Sequence, residues 1–223
     1  MSSVAKRTGR VLASLLLSAG FVVAMQPSLM PAAHAASELA ESASLVGKAA
    51  PDFTLADTYG KERKLSDYKG KIVVLEWFNF GCPFVKKHYE SSNMQKLQKE
   101  YTGKGVVWLS INSSAPGKEG NETNETLNKL FKEHKGAPTA VLPDPDGKVG
   151  HLYGARSTPD MYVIDKKGVL VYAGAIDDKP TADQADIATA KNYVREALDA
   201  ELGGKKIATA STKSYGCSVK YAK

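Results

Sequence analysis

The sequence lacks several features that mark common functional classes. Beyond its first 35 residues it has no dense Lys/Arg run with interleaved aromatic residues, so nucleic-acid binding has little support. The apolar stretch from Val11 to Met25 has fifteen residues, fewer than the ~20 that a membrane-spanning helix needs. Cysteine and histidine are few and scattered, so we expect no bound metal ion and no other cofactor. These residues are Cys82, Cys217, His34, His88, His134 and His151.

The N-terminus has the three parts of an export signal. Lys6, Arg7 and Arg10 precede the apolar stretch, and Ala33-His34-Ala35 follows it. This order is typical of a secretory signal peptide, residues 1–35. A lipoprotein signal would need a cysteine next to the cleavage site, and the sequence has none there. We therefore predict an exported protein, periplasmic in a Gram-negative cell and secreted otherwise, with no membrane attachment after cleavage. The formal net charge falls from +6 to +3, with 27 basic and 24 acidic residues, and residues 36–48 form a flexible lead-in.

A nearly continuous apolar run, Ile72 to Phe78, dominates the remaining chain. Because both of its alternating faces are apolar, the run predicts a strand buried on both sides. Gly81 then interrupts the strand, and Pro83 suits the first position of a helix, so Cys82 falls at the helix N-cap. Backbone N–H groups and the helix dipole at that position lower the pKa of a thiol. We therefore favour an exposed, reactive Cys82 over a small buried apolar residue.

Helix and strand patterns alternate along the rest of the chain. After Cys82, apolar spacing predicts a helix to about Tyr101, with a possible kink at Ser91–Asn93. Strand and crossover helix in alternation favour an α/β sheet with helices on both faces. The other predicted strands are 105–111, 139–142, 161–164 and 169–173, and the other helical segments lie around 127–131, 149–153 and 187–198.

Three segments carry a resemblance to a known family. Glu76 lies six residues before Cys82, Thr158-Pro159 precedes the strand-like Met161 to Ile164, and Pro51 to Leu55 has the spacing Pro-x-Phe-x-Leu. Together with the strand, cysteine and helix, these segments resemble the thioredoxin superfamily, in particular exported redoxin and peroxiredoxin-like (AhpC/TSA-type) proteins. The resemblance implies a thioredoxin-like fold, a central mixed β-sheet flanked by helices. We assign this domain to residues 49–204 and a C-terminal tail to residues 205–223.

The sequence departs from this family at two places. Val85 occupies the position of the second cysteine of the Cys-x-x-Cys motif, so a local dithiol–disulfide switch is impossible. Leu75 and Asn79 occupy the Pro and Thr positions of the peroxiredoxin pattern Pro-x-x-x-Thr-x-x-Cys. A redox cycle would therefore need Cys217. The tail could bring it back over the helix, because the 13 residues from Gly204 to Cys217 span up to ~40 Å when extended.

The resemblance also assigns roles to individual residues. It implies that Cys82 is the nucleophile, that Cys217 resolves the oxidised intermediate as a disulfide, and that an external thiol reductant restores both. Glu76 would be a buried acid that shuttles the proton, or else a hydrogen-bonded carboxylate without a catalytic role. An X-Pro bond is ordinarily trans, but the resemblance implies a cis Thr158-Pro159 bond whose backbone binds substrate beside Cys82.

Three functions remain open on this basis. The first, which we favour, is an antioxidant, peroxide-reducing, thiol-dependent oxidoreductase. The second is thiol–disulfide exchange on protein substrates. The third is a thioredoxin-fold binding module without catalysis, in which Cys82 and Cys217 form a structural disulfide. The oligomeric state is left open.

Overall fold

The computed structural model describes Met1 and residues 44–223. The predicted signal peptide, apart from Met1, and residues 36–43 of the predicted lead-in lie outside the described residues. Within the described part, no helix is long and apolar enough to cross a membrane. In the same part, no three His, Cys, Asp or Glu side chains are grouped so that they could hold a metal ion.

A mixed five-stranded sheet forms the centre of the fold. Its strand order is β5-β4-β3-β7-β8, in which β3, β4 and β5 run parallel and β7 is antiparallel to both β3 and β8. A short hairpin of β1 and β2 precedes the sheet, and β6 pairs with β9 from the tail. The strands are β1 Thr54–Ala56, β2 Glu62–Lys64, β3 Val73–Trp77, β4 Val107–Asn112, β5 Ala140–Pro143, β6 Ser157–Thr158, β7 Asp160–Ile164, β8 Leu170–Gly174 and β9 Cys217–Ser218.

Helices cover both faces of the sheet, as the sequence predicts. One face packs against α1, α2, α3 and α5, and the other packs against α4 and the segment around Phe53 and Leu65. Every residue of β3 is buried, because side chains of both parities contact a core. The helices are α1 Pro83–Glu90, α2 Asn93–Gly103, α3 Asn124–Glu133, α4 Lys148–Tyr153 and α5 Tyr193–Leu202, with 3₁₀ turns at Leu65–Tyr68 and Gln184–Ala188.

The predicted helix after Cys82 is two helices rather than one kinked helix. Ser92 adopts a left-handed conformation, with φ of 62°, and separates α1 from α2. The side-chain amide of Gln95 donates a hydrogen bond to the carbonyl oxygen of Tyr89 at 2.6 Å, which stabilises the break. Serine disfavours a helix interior, because its hydroxyl competes for backbone hydrogen bonds. The predicted closing helix also begins later, because Asn192 caps Tyr193–Leu202 by accepting from the N–H of Arg195.

The C-terminal tail crosses the end of the sheet where β3 leads into α1. The Thr212 N–H donates a hydrogen bond to the carbonyl oxygen of Ala173 in β8 at 3.1 Å, and Cys217 pairs with Thr158 of β6. Beyond Cys217, the hydroxyl of Tyr221 donates to the carbonyl oxygen of Ala155 at 2.7 Å. These contacts hold the tail against the domain on both sides of Cys217.

Candidate active site

Cys82 is the N-cap of α1, as the sequence predicts. Its backbone is extended, with φ of −74° and ψ of 124°, and Pro83 is the first helical residue. The Cys82 carbonyl oxygen accepts hydrogen bonds from the N–H groups of Val85 at 3.1 Å and Lys86 at 3.0 Å. Proline at this position needs no donor and has the φ of a helix. The sulfur therefore lies beside the positive end of the α1 dipole.

The prediction that Cys82 is exposed is wrong. Its relative solvent exposure is 0%. Its sulfur donates a hydrogen bond to the carbonyl oxygen of Thr158 at 3.1 Å, and the partly buried Cys217 and Tyr215 of the tail pack against the same core cluster. The cause is the tail, which joins the domain through contacts far apart in sequence and closes over the helix start.

The two cysteines lie side by side as free thiols. In the β6–β9 ladder, Cys217 is the partner of Thr158, whose carbonyl contacts Cys82. Burial raises the pKa of the Cys82 thiol, but hydrogen bonds with the side chains of Cys217 and Thr158 outweigh burial and lower the pKa below its usual range. Burial, the hydrogen bond to Cys82 and the negative charge of the Cys82 thiolate raise the pKa of Cys217 to about 12. Cys82 is therefore the sulfur that ionises first.

Thr158 and Pro159 lie directly at this thiol pair. The peptide bond between them is cis. The tail approaches Thr158 so closely that a Cβ on Gly216 would lie 2.0 Å from its carbonyl oxygen, and Gly216 has a φ of +133°. Only glycine fits this combination of close approach and backbone conformation. The Thr158 backbone is thus occupied by the protein's own tail.

Glu76 lies apart from the cysteines in its hydrogen bonding. Its carboxylate is fully buried and accepts four hydrogen bonds, none of them from a cysteine. The donors are the Tyr89 hydroxyl at 2.8 Å, the Gln98 amide at 3.0 Å, the Trp108 indole at 2.7 Å and the Ser110 hydroxyl at 2.7 Å. Burial raises the pKa of Glu76 even against these four donors. Such a network satisfies a buried acid, and it favours a hydrogen-bonded carboxylate without a catalytic role.

Asp160 is a candidate that the sequence did not single out. It follows Pro159, is 2% exposed, and accepts hydrogen bonds from the Arg156 backbone N–H and the Tyr162 hydroxyl, both at 3.3 Å. Burial raises the pKa of Asp160 to about 7, although hydrogen bonds from its neighbours, including Ser214 of the tail, oppose the shift. Its position directly after Pro159 is the one sequence feature that could have identified Asp160. The sequence alone does not predict that this aspartate is buried.

We expect Asp160→Asn to change how stability depends on pH. An unfolded aspartate has a pKa near 3.9, so between about pH 4 and pH 7 the folded state holds a proton that the unfolded state lacks. The free energy of unfolding of the wild type therefore falls as pH rises to about 7, by roughly 4 kcal/mol from this group. Asparagine does not titrate. The free energy of unfolding of the variant, relative to that of the wild type, should therefore increase by about this amount between pH 4 and pH 8.

Urea unfolding at both pH values measures this difference. Asp67→Asn, at an exposed position, is the control and should leave the pH dependence unchanged. Parallel pH profiles for the wild type and Asp160→Asn would show that Asp160 ionises normally.

A second buried group joins the tail to α1. It consists of Lys87, His88, Asp177 and Tyr215, and we call it the anchor cluster. The Tyr215 hydroxyl donates to Asp177 Oδ1, and Asp177 Oδ2 lies 3.7 Å from Lys87 Nζ and 3.9 Å from His88 Nε2. The sequence alone assigns no role to any of the four residues. Their association depends on three segments far apart in the chain.

Comparisons with known proteins give a consistent picture. A sequence profile of the AhpC/TSA family matches residues 46–173, more than half of the chain. Thiol-disulfide oxidoreductase ResA from Geobacillus thermodenitrificans is 33% identical over 129 residues, which cover 57% of this chain and 68% of that protein.

Two solved structures share the fold. A hypothetical protein from Sinorhizobium meliloti 1021 is 30% identical with a TM-score of 0.67, covering 79% of this chain and 94% of that one. An uncharacterized conserved protein from Geobacillus kaustophilus is 31% identical with a TM-score of 0.67, covering 79% of this chain and 92% of that one. The match over 94% and 92% of these chains extends the likeness to nearly their whole length.

Proposed function

The chain belongs to the AhpC/TSA family and is a thiol-dependent oxidoreductase, and from this premise we propose that its redox centre is the pair Cys82 and Cys217. The observation that carries the proposal is the β6–β9 ladder, which pairs Cys217 with Thr158 while the Thr158 carbonyl contacts the Cys82 sulfur. Val85 removes the local second cysteine, and the tail supplies one from 135 residues away. The pair replaces a Cys-x-x-Cys motif in space rather than in sequence.

The proposed reaction is thiol–disulfide exchange. The Cys82 thiolate attacks one sulfur of a substrate disulfide, which forms a mixed disulfide and releases the other substrate sulfur as a thiolate. Cys217 then attacks the Cys82 sulfur, which forms the Cys82–Cys217 disulfide and releases the second substrate sulfur. The substrate gains two electrons and the protein loses two. An external thiol reductant restores the dithiol by the same two steps.

The pKa values of the two thiols support this order of events. After burial, the largest causes that raise the pKa of Cys217 are its hydrogen bond to Cys82 and the charge of that thiolate. Both causes disappear once Cys82 is bonded to a substrate sulfur. The pKa of Cys217 then falls, so the resolving thiol is activated only after the first step. The resting pair therefore presents one nucleophile rather than two.

Peroxide reduction is the second candidate, and the burial of Cys82 favours it. A small oxidant needs less opening of the tail than a folded protein disulfide does. The Cys82 thiolate would attack one peroxide oxygen, forming a sulfenic acid and releasing water or an alcohol, and Cys217 would condense with it to a disulfide and water. The sequence ranked this activity first, and it stays a prediction. Export also stays a prediction, because the leader lies outside the described residues.

We expect Cys217→Ser to trap the first step. The variant keeps the Cys82 nucleophile but cannot resolve the mixed disulfide, so turnover should fall by about 100-fold or more while a mixed disulfide accumulates. Intact-mass analysis after addition of a disulfide-containing peptide measures the adduct. Addition of peroxide instead tests the second candidate, for which the adduct is a sulfenic acid.

The control is the wild-type protein, which should show no lasting adduct and an internal Cys82–Cys217 disulfide. If Cys217→Ser turns over at the wild-type rate with no adduct, Cys217 is not the resolving cysteine. If the wild-type disulfide forms but is reduced only at potentials below about −300 mV, the binding module with a structural disulfide is the better description.

A further inference from the structure

The anchor cluster places charged groups in the interior of the protein. The side chains of Lys87 and Asp177 are both 0% exposed. Lys87 Nζ donates to the carbonyl oxygen of Lys179 at 2.7 Å, and Asp177 Oδ1 accepts from the N–H of Lys179 at 2.9 Å as well as from Tyr215. Buried charges are costly unless they are paired and hydrogen-bonded. Among the residues that the structure describes, the Tyr215 hydroxyl is the one donor to this carboxylate that comes from the tail.

His88 completes the surroundings of Tyr215. Asn93 donates its side-chain amide to His88 Nδ1 at 2.9 Å, so Nε2 carries the proton and faces the Tyr215 oxygen at 3.3 Å. Burial and then the charge of Lys87 lower the pKa of His88 to about 3, so the ring is neutral. The phenol oxygen thus donates to Asp177 and accepts from His88. One tail hydroxyl closes a network that reaches α1 from two sides.

The ring of Tyr215 is held as well as its hydroxyl. Phe84 meets it edge to face with ring centres 5.8 Å apart, and Lys87 Nζ lies 5.7 Å from its centre. Both contacts come from α1, the helix that begins at Cys82. Cationic and aromatic contacts of this kind are stronger when water is excluded. The tail is therefore attached to the same rigid element that carries the nucleophile.

The chain between Tyr215 and Cys217 is short. Tyr215 lies two residues before Cys217, and two residues span at most about 7 Å. Gly216, between them, has a φ of +133°. Lys87 and His88 lie five and six residues after Cys82, about 7.5 to 9 Å along the helix axis at 1.5 Å per residue. Fixing Tyr215 beside Lys87 and His88 therefore keeps Cys217 near the start of α1.

We propose that Tyr215 is a positioning residue, which Asp177, Lys87 and His88 hold against α1 so that Cys217 stays on Cys82. This inference rests on the proposed function, in which Cys217 is the resolving cysteine. The anchor cluster then sets how often the tail leaves Cys82 open to an external oxidant and how fast Cys217 returns. The four residues take no part in bond making, and they act through the position of Cys217.

Tyr215→Phe tests the inference, because it keeps the ring and removes only the hydroxyl. In the reduced Cys217→Ser background, we expect iodoacetamide to modify Cys82 about tenfold faster than it does without the tyrosine change. Rates are compared at the high-pH plateau, where Cys82 is fully ionised and a shifted pKa has no effect. In the protein with both cysteines, the reduction potential should rise by about 30 mV, the equivalent of a tenfold weaker disulfide.

Tyr153→Phe is the matched control. It removes another buried tyrosine hydroxyl, which donates to the Pro51 carbonyl oxygen at 2.7 Å on the opposite face of the sheet. It should leave both the alkylation rate and the potential unchanged. A Tyr215→Phe protein that stays within twofold of its parent rate and keeps the same potential would overturn the inference. The proposed function fails separately, if Cys217→Ser alone has no effect on turnover.

Discussion

Gly216→Ala is expected to separate Cys217 from Cys82 and to slow formation of their disulfide by about 100-fold or more. Gly216 has a φ of +133°, and a Cβ there would lie 2.0 Å from the Thr158 carbonyl oxygen and 2.8 Å from its carbon. The neighbouring atoms are backbone and cannot move aside as a flexible side chain can. The β6–β9 pairing therefore has to open, and Cys217 moves with it.

Disulfide formation after addition of oxidised glutathione, followed by intact mass, measures this effect. In the variant we expect glutathione to remain on Cys82 as a mixed disulfide. Gly204→Ala is the matched control, because Gly204 also has a positive φ, +63°, but nothing lies within 4 Å of its Cβ position. A Gly216→Ala protein that forms the Cys82–Cys217 disulfide at the wild-type rate would show that the ladder does not position Cys217.

Cys82→Ser should reduce turnover by at least about 1,000-fold, the scale of losing a nucleophile. Serine at the N-cap retains the helix start and approximates the size of cysteine, but its hydroxyl is not ionised near neutral pH. The reduced protein is assayed with a disulfide peptide and with peroxide. Neither substrate should yield an adduct at position 82. Residual turnover near the wild-type rate in both assays would remove Cys82 from the mechanism.

The same assays decide the role of Glu76. If Glu76 shuttles the proton, Glu76→Gln changes the pH profile of turnover in the wild-type background. If Glu76 only satisfies the donors around it, the variant keeps the profile, and its effect is limited to stability. The four hydrogen bonds to its carboxylate lead us to expect the second result.

Local features of the site follow directly from the sequence. The buried strand Val73–Trp77, the N-cap position of Cys82 and the proline that follows it each depend on neighbouring residues and on backbone preferences. The weak helix formers at Ser91–Asn93 predict an irregularity at this place, although they predict a kink and the structure has two helices. Proximity of Thr158 to Cys82 came only from the family resemblance, because no local rule brings together residues 76 positions apart.

Local sequence patterns do not predict the burial of Cys82 or the contacts of the tail. Both depend on Gly216 and Tyr215 contacting residues that are 38 to 131 positions away. Periodicity reports which face of an element is apolar, but not which distant segment covers it. Asp160 and Asp177 illustrate the same limit, since an aspartate is most often exposed and only the folded chain shows these two to be buried.

The reversible bond between Cys82 and Cys217 is the claim on which the site depends. The most direct measurement is redox titration of the protein with peptide mapping under non-reducing conditions. We expect a linked peptide containing both cysteines to appear on oxidation and disappear on reduction, with a midpoint above about −300 mV. Failure to find a linked peptide, or a bond that opens only at potentials well below that value, would contradict a catalytic pair.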